Sequence, residues 1–113
     1  MTDRELLELA AKAARIKLDV SGTNGGAKGQ GFDCMGNAVL DWHNSKFWNP
    51  LRDDGDALRL AVYRAISVSP QGSWVAAHIS GTDLYFSEPF GDDPYAAARR
   101  AIVRAAAEIG KGM

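Results

Sequence analysis

The sequence predicts an α+β domain, and three features carry that prediction. Residues 94 to 109 follow a helix-start signal, Asp93-Pro94, and place an apolar face made mostly of alanine on one side. Residues 66 to 87 alternate polar and apolar in three short runs separated by turn residues, the pattern of an antiparallel meander. Thr2-Asp3-Arg4-Glu5 is a capping-box pattern that opens another helix at the front of the chain. Helices set apart from a run of antiparallel strands define the class. The expected order is an N-terminal helix, an irregular or two-stranded section, a second helix, a three-stranded antiparallel meander and a C-terminal helix packed on the sheet.

In chain order, the first helix is expected to bury Leu6, Leu9, Ala10, Ala13 and Ile16, with Glu8 and Lys12 paired one turn apart on the wet side. Lys17-Leu18-Asp19-Val20 has the alternation of a half-buried strand. Residues 21 to 31 are rich in glycine and read as a flexible connection. Ala38-Val39-Leu40 forms the middle of a short strand after the turn signal Gly36-Asn37, and Asn49-Pro50 ends regular structure. Asp53, Asp54 and Asp56 open the second helix, whose buried face is expected to be Leu58, Ala61, Val62 and Ala65, with Leu60 pointing the opposite way. Ile66-Ser67-Val68-Ser69, residues 74 to 79 and Leu84-Tyr85-Phe86-Ser87 are the strands of the meander. The last helix is expected to bury Tyr95, Ala98, Ala101, Ile102, Ala105, Ala106 and Ile109 with Val103 on the flank, and to stop at Gly110.

Length and composition bound the rest. A chain of 113 residues builds one core, so residues 1 to 113 read as a single domain. With 46% hydrophobic and 24% charged residues the balance is that of a globular protein, not a disordered one. A formal net charge of −1 gives little long-range attraction to nucleic acid or to an anionic membrane. No apolar run approaches the ~20 residues that span a bilayer, and the mixed-charge N-terminus is not a secretory leader, so a cytoplasmic location without membrane contact is expected. Cys34 is the only cysteine, which excludes an intrachain disulfide and a thiolate cluster.

Signatures of chemistry are missing. Lys28 is followed by Gly29, not Ser or Thr, so the glycine-rich stretch is no phosphate loop. The Asp53-Asp54-Gly55-Asp56 run lacks the alternating oxygen ligands and distal Glu of a calcium loop. His43 and His78 are the only histidines, and His78 shares a strand face with Trp74 and Ala76, where it serves in cross-strand contacts. The acidic groups at residues 53 to 56 and 92 to 93 are accounted for by helix starts, and no serine lies in a nucleophile elbow. No metal, cofactor or catalytic residue is assigned. An enzyme with a site assembled from distant residues is the third functional reading.

Two surface features point to binding. Trp42, Phe47 and Trp48 crowd three large aromatics into a short polar stretch, and with the outward-pointing Leu60 they are the candidate protein-binding residues. Arg99, Arg100 and Arg104 are the candidate phosphate contacts of a nucleic-acid-binding alternative. The order helix, three strands, helix over residues 54 to 109 is similar to that of double-stranded RNA-binding domains. In that family, however, lysines gather at the start of the last helix, where this chain has Asp92 and Asp93.

The opening residues 2 to 14, the stretch from Trp48-Asn49-Pro50-Leu51 through Val62, and residues 91 to 110 together resemble small hypothetical proteins of bacteriophages and prophages related to the NinX-like family of unknown function. The resemblance implies a phage-borne accessory protein in the cytoplasm of a bacterial host cell, and it implies no activity. The leading expectation is a non-enzymatic protein-binding module acting on a host or phage protein, such as an inhibitor of a host defence or regulatory factor. Sheet edges leave room for a homodimer.

Overall fold

The computed structural model describes residues 1–21 and 31–113. Most of the glycine-rich connection expected at 21 to 31 lies outside the described residues. The order is α1 (Asp3–Ala13), β1 (Ala38–Asp41), β2 (Lys46–Trp48), α2 (Asp54–Tyr63), β3 (Ile66–Pro70), β4 (Trp74–Ile79), β5 (Tyr85–Pro89) and α3 (Pro94–Lys111). The fold is α+β, with a two-stranded sheet, β1-β2, and a three-stranded antiparallel sheet in the order β3-β4-β5.

α3 is the axis of the molecule. Its start is as expected: the Asp93 carboxylate accepts from the amides of Tyr95 and Ala96 at 3.0 and 3.1 Å, and Pro94 follows the cap. The burial differs from a one-sided helix. Ala97, Ala101, Ile102, Val103, Ala105, Ala106 and Ala107 are all buried, while Tyr95 is exposed. α3 contacts α1, α2 and all three strands of the meander, so Val103 on the expected flank is fully enclosed. Alanines on most of its circumference let these neighbours close in.

Gly110 is not the stop. The helix runs on to Lys111, with Gly112 as its cap at φ −87. Gly110 sits where α1 crosses, and a Cβ there would lie 2.1 Å from the carbonyl oxygen of Leu9. A glycine that ends a helix and one that admits a neighbouring backbone look the same in sequence.

α1 keeps its capping box, with Glu5 N–H donating to Thr2 Oγ1 at 3.1 Å and Thr2 N–H to Glu5 Oε1 at 3.3 Å. The backbone N–H of Thr2, followed by its hydroxyl, holds the Glu5 carboxyl below its ordinary range. Its buried arc is Leu6, Leu7, Ala10, Ala11 and Ala13; Leu9 is only half-buried. Glu8 pairs back to Arg4 at 3.2 Å, not forward to Lys12. The helix ends in a Schellman turn, with Ile16 N–H reaching Ala11 O at 2.9 Å and Arg15 in the left-handed region at φ 57.

Residues 17 to 20 form no strand. The segment runs alongside β1 and shares a single backbone bond with it, Asp19 N–H to Val39 O at 2.7 Å. The expected strand at 38 to 40 is β1, and it finds its partner in β2, with Ala38 opposite Trp48 and Val39 opposite Phe47. The meander forms as expected, although β5 starts one residue later, at Tyr85, and extends to Pro89 opposite Trp74. Val75, Ala77 and Ile79 are buried on the α3 side. The opposite face carries Ser67, Ser69, Trp74, Ala76, His78 and Tyr85. There the His78 and Tyr85 rings stack at 4.4 Å, and His78 Nε2 donates to Thr82 O at 2.6 Å.

Candidate functional site

α2 presents a different face to the core from the one its spacing suggests. Ala57, Leu60 and Ala61 are buried, whereas Leu58 and Val62 are 64% and 73% exposed. Leu60 is 2% exposed and is therefore a core residue, not an outward contact. The helix is short and has apolar residues on both sides, so the choice of face falls to its neighbours: α3 and β3 cover the side bearing Ala57 and Ala61. The cap is as expected, with Asp56 N–H donating to the Asp53 carboxylate at 2.8 Å.

On the edge of that packed side a groove of about 580 Å³ opens between three elements. Ala14 and Ile16, just past α1, form one wall. Leu40 of β1 and Lys46, Phe47 and Trp48 of β2 form the second. Asp56, Arg59, Leu60 and Tyr63 form the third; their spacing of three, one and three residues is that of one helical face. Trp48 (6% exposed) and Leu60 are the fixed floor, while Phe47 and Tyr63 remain 44% and 55% exposed at the mouth.

Three of the four protein-binding candidates, Phe47, Trp48 and Leu60, thus converge on one groove, although Trp48 and Leu60 also belong to the core. Trp42 stands behind Phe47, the rings edge-on at 6.5 Å and 89°. Its main-chain N–H donates to Asp19 Oδ2 at 2.9 Å, and its buried Nε1 finds no acceptor among the described residues. Ile16, Leu40, Arg59 and Tyr63 were not anticipated, because the groove needs segments far apart in sequence. The Asp56/Arg59/Leu60/Tyr63 spacing was the one available signal.

The hairpin is held to α2 through Asn49, the buried polar residue after β2. Its side-chain amide donates to Asn37 Oδ1 at 2.9 Å, its Oδ1 accepts from Leu51 N–H at 3.1 Å, and its main-chain N–H donates to Asp56 Oδ2 at 2.9 Å. The other Asp56 oxygen accepts from Arg59 at 2.7 Å. Both oxygens of the only carboxylate lining the groove are therefore committed to holding it together. At the hairpin tip the Asp41 carboxyl is drawn below its ordinary range by the Asn44 side-chain amide and then by the Asn44 backbone N–H. Asp19 is lowered by the Ser21 hydroxyl, then by the backbone N–H groups of Trp42 and Ser21.

The arginines of α3 are occupied. Arg99 donates to Leu51 O at 2.9 Å and to Asp54 at 2.6 Å. Arg100 pairs with Asp3 at 2.9 Å. Arg104 pairs with Glu88 at 2.5 Å, donates to Ser87 O and lies over the Phe86 ring. Each charge already faces a carboxylate, which leaves the nucleic-acid alternative without a free cationic patch on this helix. Cys34 is exposed in the turn before β1, and no group of three His, Cys, Asp or Glu suited to a metal ion occurs among the described residues. No helix among them is long and apolar enough to cross a membrane.

Comparison with protein-family models, curated proteins and solved structures finds no match to this chain.

Proposed function

We propose that the chain is a non-enzymatic protein-binding module that takes a segment of its partner in the groove between the end of α1, the β1-β2 hairpin and α2. The observation that carries this reading is the pairing of a rigid floor, Trp48 and Leu60, with half-exposed Phe47 and Tyr63 at the mouth. Buried aromatic anchors surrounded by partly exposed ones are what interfaces use. A volume of about 580 Å³ also falls in the range of small-ligand sites. Such sites orient their ligand with several convergent polar groups, and here Asp56 and Arg59 satisfy each other, which leaves Lys46 as the one charged lining residue without an ion pair among the described residues. The groove has no histidine in its lining, and both oxygens of its one carboxylate, Asp56, are held by Asn49 and Arg59. The phage setting belongs to the same proposal and rests on the segments quoted above: an accessory protein acting on a host or phage protein in a bacterial cytoplasm.

The test is affinity capture from bacterial lysate with the wild type and with a Phe47→Ala/Tyr63→Ala variant. Trp48 is left intact because it supports the core. A protein retained at fixed stoichiometry by the wild type and lost from a folded variant is the expected result. Equal retention by both refutes the groove as the binding surface.

A further inference from the structure

We infer that the chain forms a two-fold dimer, in which β3 pairs antiparallel with β3 of a second copy and the exposed side of α2 packs on its counterpart. The inference goes beyond the reading of the groove and stands independently of it.

Two adjoining surfaces carry it. Leu58, Val62 and Ala65 recur at the spacing of a buried helix face, yet all three are exposed. Ala65 leads straight into β3, which α2 touches. On β3 the half-exposed Val68 projects to the helix side of the sheet, as does its buried partner Ala77. The bonds from Ser80 N–H to Ala65 O and from Gln71 N–H to Trp74 O fix the phase of this strand. Ala65, Ser67 and Ser69 turn their peptide groups toward β4, so those of Val68 face outward, where no partner meets them among the described residues. The other edges are guarded. On β5, Ser87 O accepts from Arg104; along β1, Val39 exchanges bonds with Asp19 and Gly31; β2 is three residues long and opens with Lys46.

Charge and area select a second copy as the occupant. A two-fold contact sets each residue near its own copy, so a charge close to the axis repels itself. The stripe and β3 hold no charged residue. The charges that flank them are engaged: Arg59 with Asp53 and Asp56, Asp54 with Arg99, and Arg64 with its Nε buried. Centring the axis on Val68 lets each Val68 N–H donate to the other copy's Val68 C=O and sets Ser67 opposite Ser69. The seven residues of the stripe and outer strand, at roughly 60–100 Å² each, give about 1,000 Å² over both copies, the lower bound of a specific interface. A weak dimer follows. On the helix, the groove residues Asp56, Leu60 and Tyr63 lie on the opposite flank of Ala57 and Ala61 from the stripe, so the dimer carries two open grooves.

Sedimentation equilibrium of the intact protein from about 5 to about 500 µM tests this. The mass should rise from 12.1 kDa toward twice that value, with a Kd of about 100 µM. Leu58→Ser/Val62→Ser should weaken association at least about tenfold and leave the circular dichroism of the dilute monomer unchanged. Val68→Pro removes an outward donor without touching a bond to β4, and it should have the same effect. In a Cys34→Ser background, Val68→Cys should form an intermolecular disulfide under mild oxidation, since paired Cα atoms at this position lie about 5.5 Å apart. Ser87→Cys on the β5 edge should stay monomeric under the same oxidant. A mass that holds at 12.1 kDa up to about 500 µM overturns the inference. So does a dimer that ignores the α2 and β3 substitutions, or one that cross-links through position 87. Phe47→Ala/Tyr63→Ala should leave the dimer intact, so loss of the groove reading and loss of this one are separate results.

Discussion

Gly110→Ala separates two accounts of one residue by the sign of its effect. If Gly110 were only a helix residue, alanine would raise stability by about 1 kcal/mol through its better helical propensity. In the structure the added methyl falls 2.1 Å from Leu9 O and 2.8 Å from Leu9 C, where real contacts essentially never come under 3.0 Å. These are backbone atoms of a packed helix, so relief requires α1 to withdraw from α3 by roughly an ångström. Such a gap weakens the contacts of Leu6, Leu7 and Ala10, and overpacking of this kind costs about 1–3 kcal/mol. Set against the helical gain, the predicted net effect is a loss of about 1 kcal/mol, a fall of about 0.5 M in the urea midpoint at a slope of about 2 kcal/mol/M. Gly112→Ala is the control, since its nearest neighbour would be Ile109 O at an ordinary 3.6 Å. A Gly110→Ala protein as stable as the wild type, or more so, refutes the close crossing of α1 and α3.

The phase of α2 is tested by Leu60→Ala, expected to lose about 2–5 kcal/mol, against Leu58→Ser, expected to change stability by less than about 0.5 kcal/mol; reversed magnitudes in urea titrations would restore the face read from sequence. The Asp19 carboxyl is held below its ordinary range by folding, so its stabilisation is complete above about pH 4 and disappears as pH falls through the lowered folded value. The stability gap between wild type and Asp19→Asn should therefore shrink from pH 6 to pH 3, and a gap indifferent to pH would contradict the hydrogen bonds from Ser21 and Trp42.

Where residues act through their own backbone, the sequence was legible. Thr2, Asp53 and Asp93 cap the helices they appeared to cap, and the meander of residues 66 to 89 has the pairing its alternation implied. What depended on neighbours was not. Leu58 and Leu60 offer equal hydrophobicity on opposite sides of α2, and only the covering elements decide between them. Residues 17 to 20 have a strand's alternation but gain only one backbone bond to β1. The hairpin partner β2 was hidden by an aromatic cluster, although Asn44-Ser45 before it is a turn signal and Ser45 has a positive φ. The candidate site was half legible: Phe47 and Trp48 stood out as aromatics, while Ile16, Leu40 and Tyr63 reach them only through the tertiary fold.

The claim that the groove is the binding surface is met most directly by backbone-amide NMR of the intact protein, titrated with a peptide or partner segment that it retains. Shift changes concentrated at Ile16, Phe47, Trp48, Leu60 and Tyr63 are the predicted result. Changes centred on Trp74, His78 and Tyr85 of the open sheet face, with those groove positions silent, would contradict it.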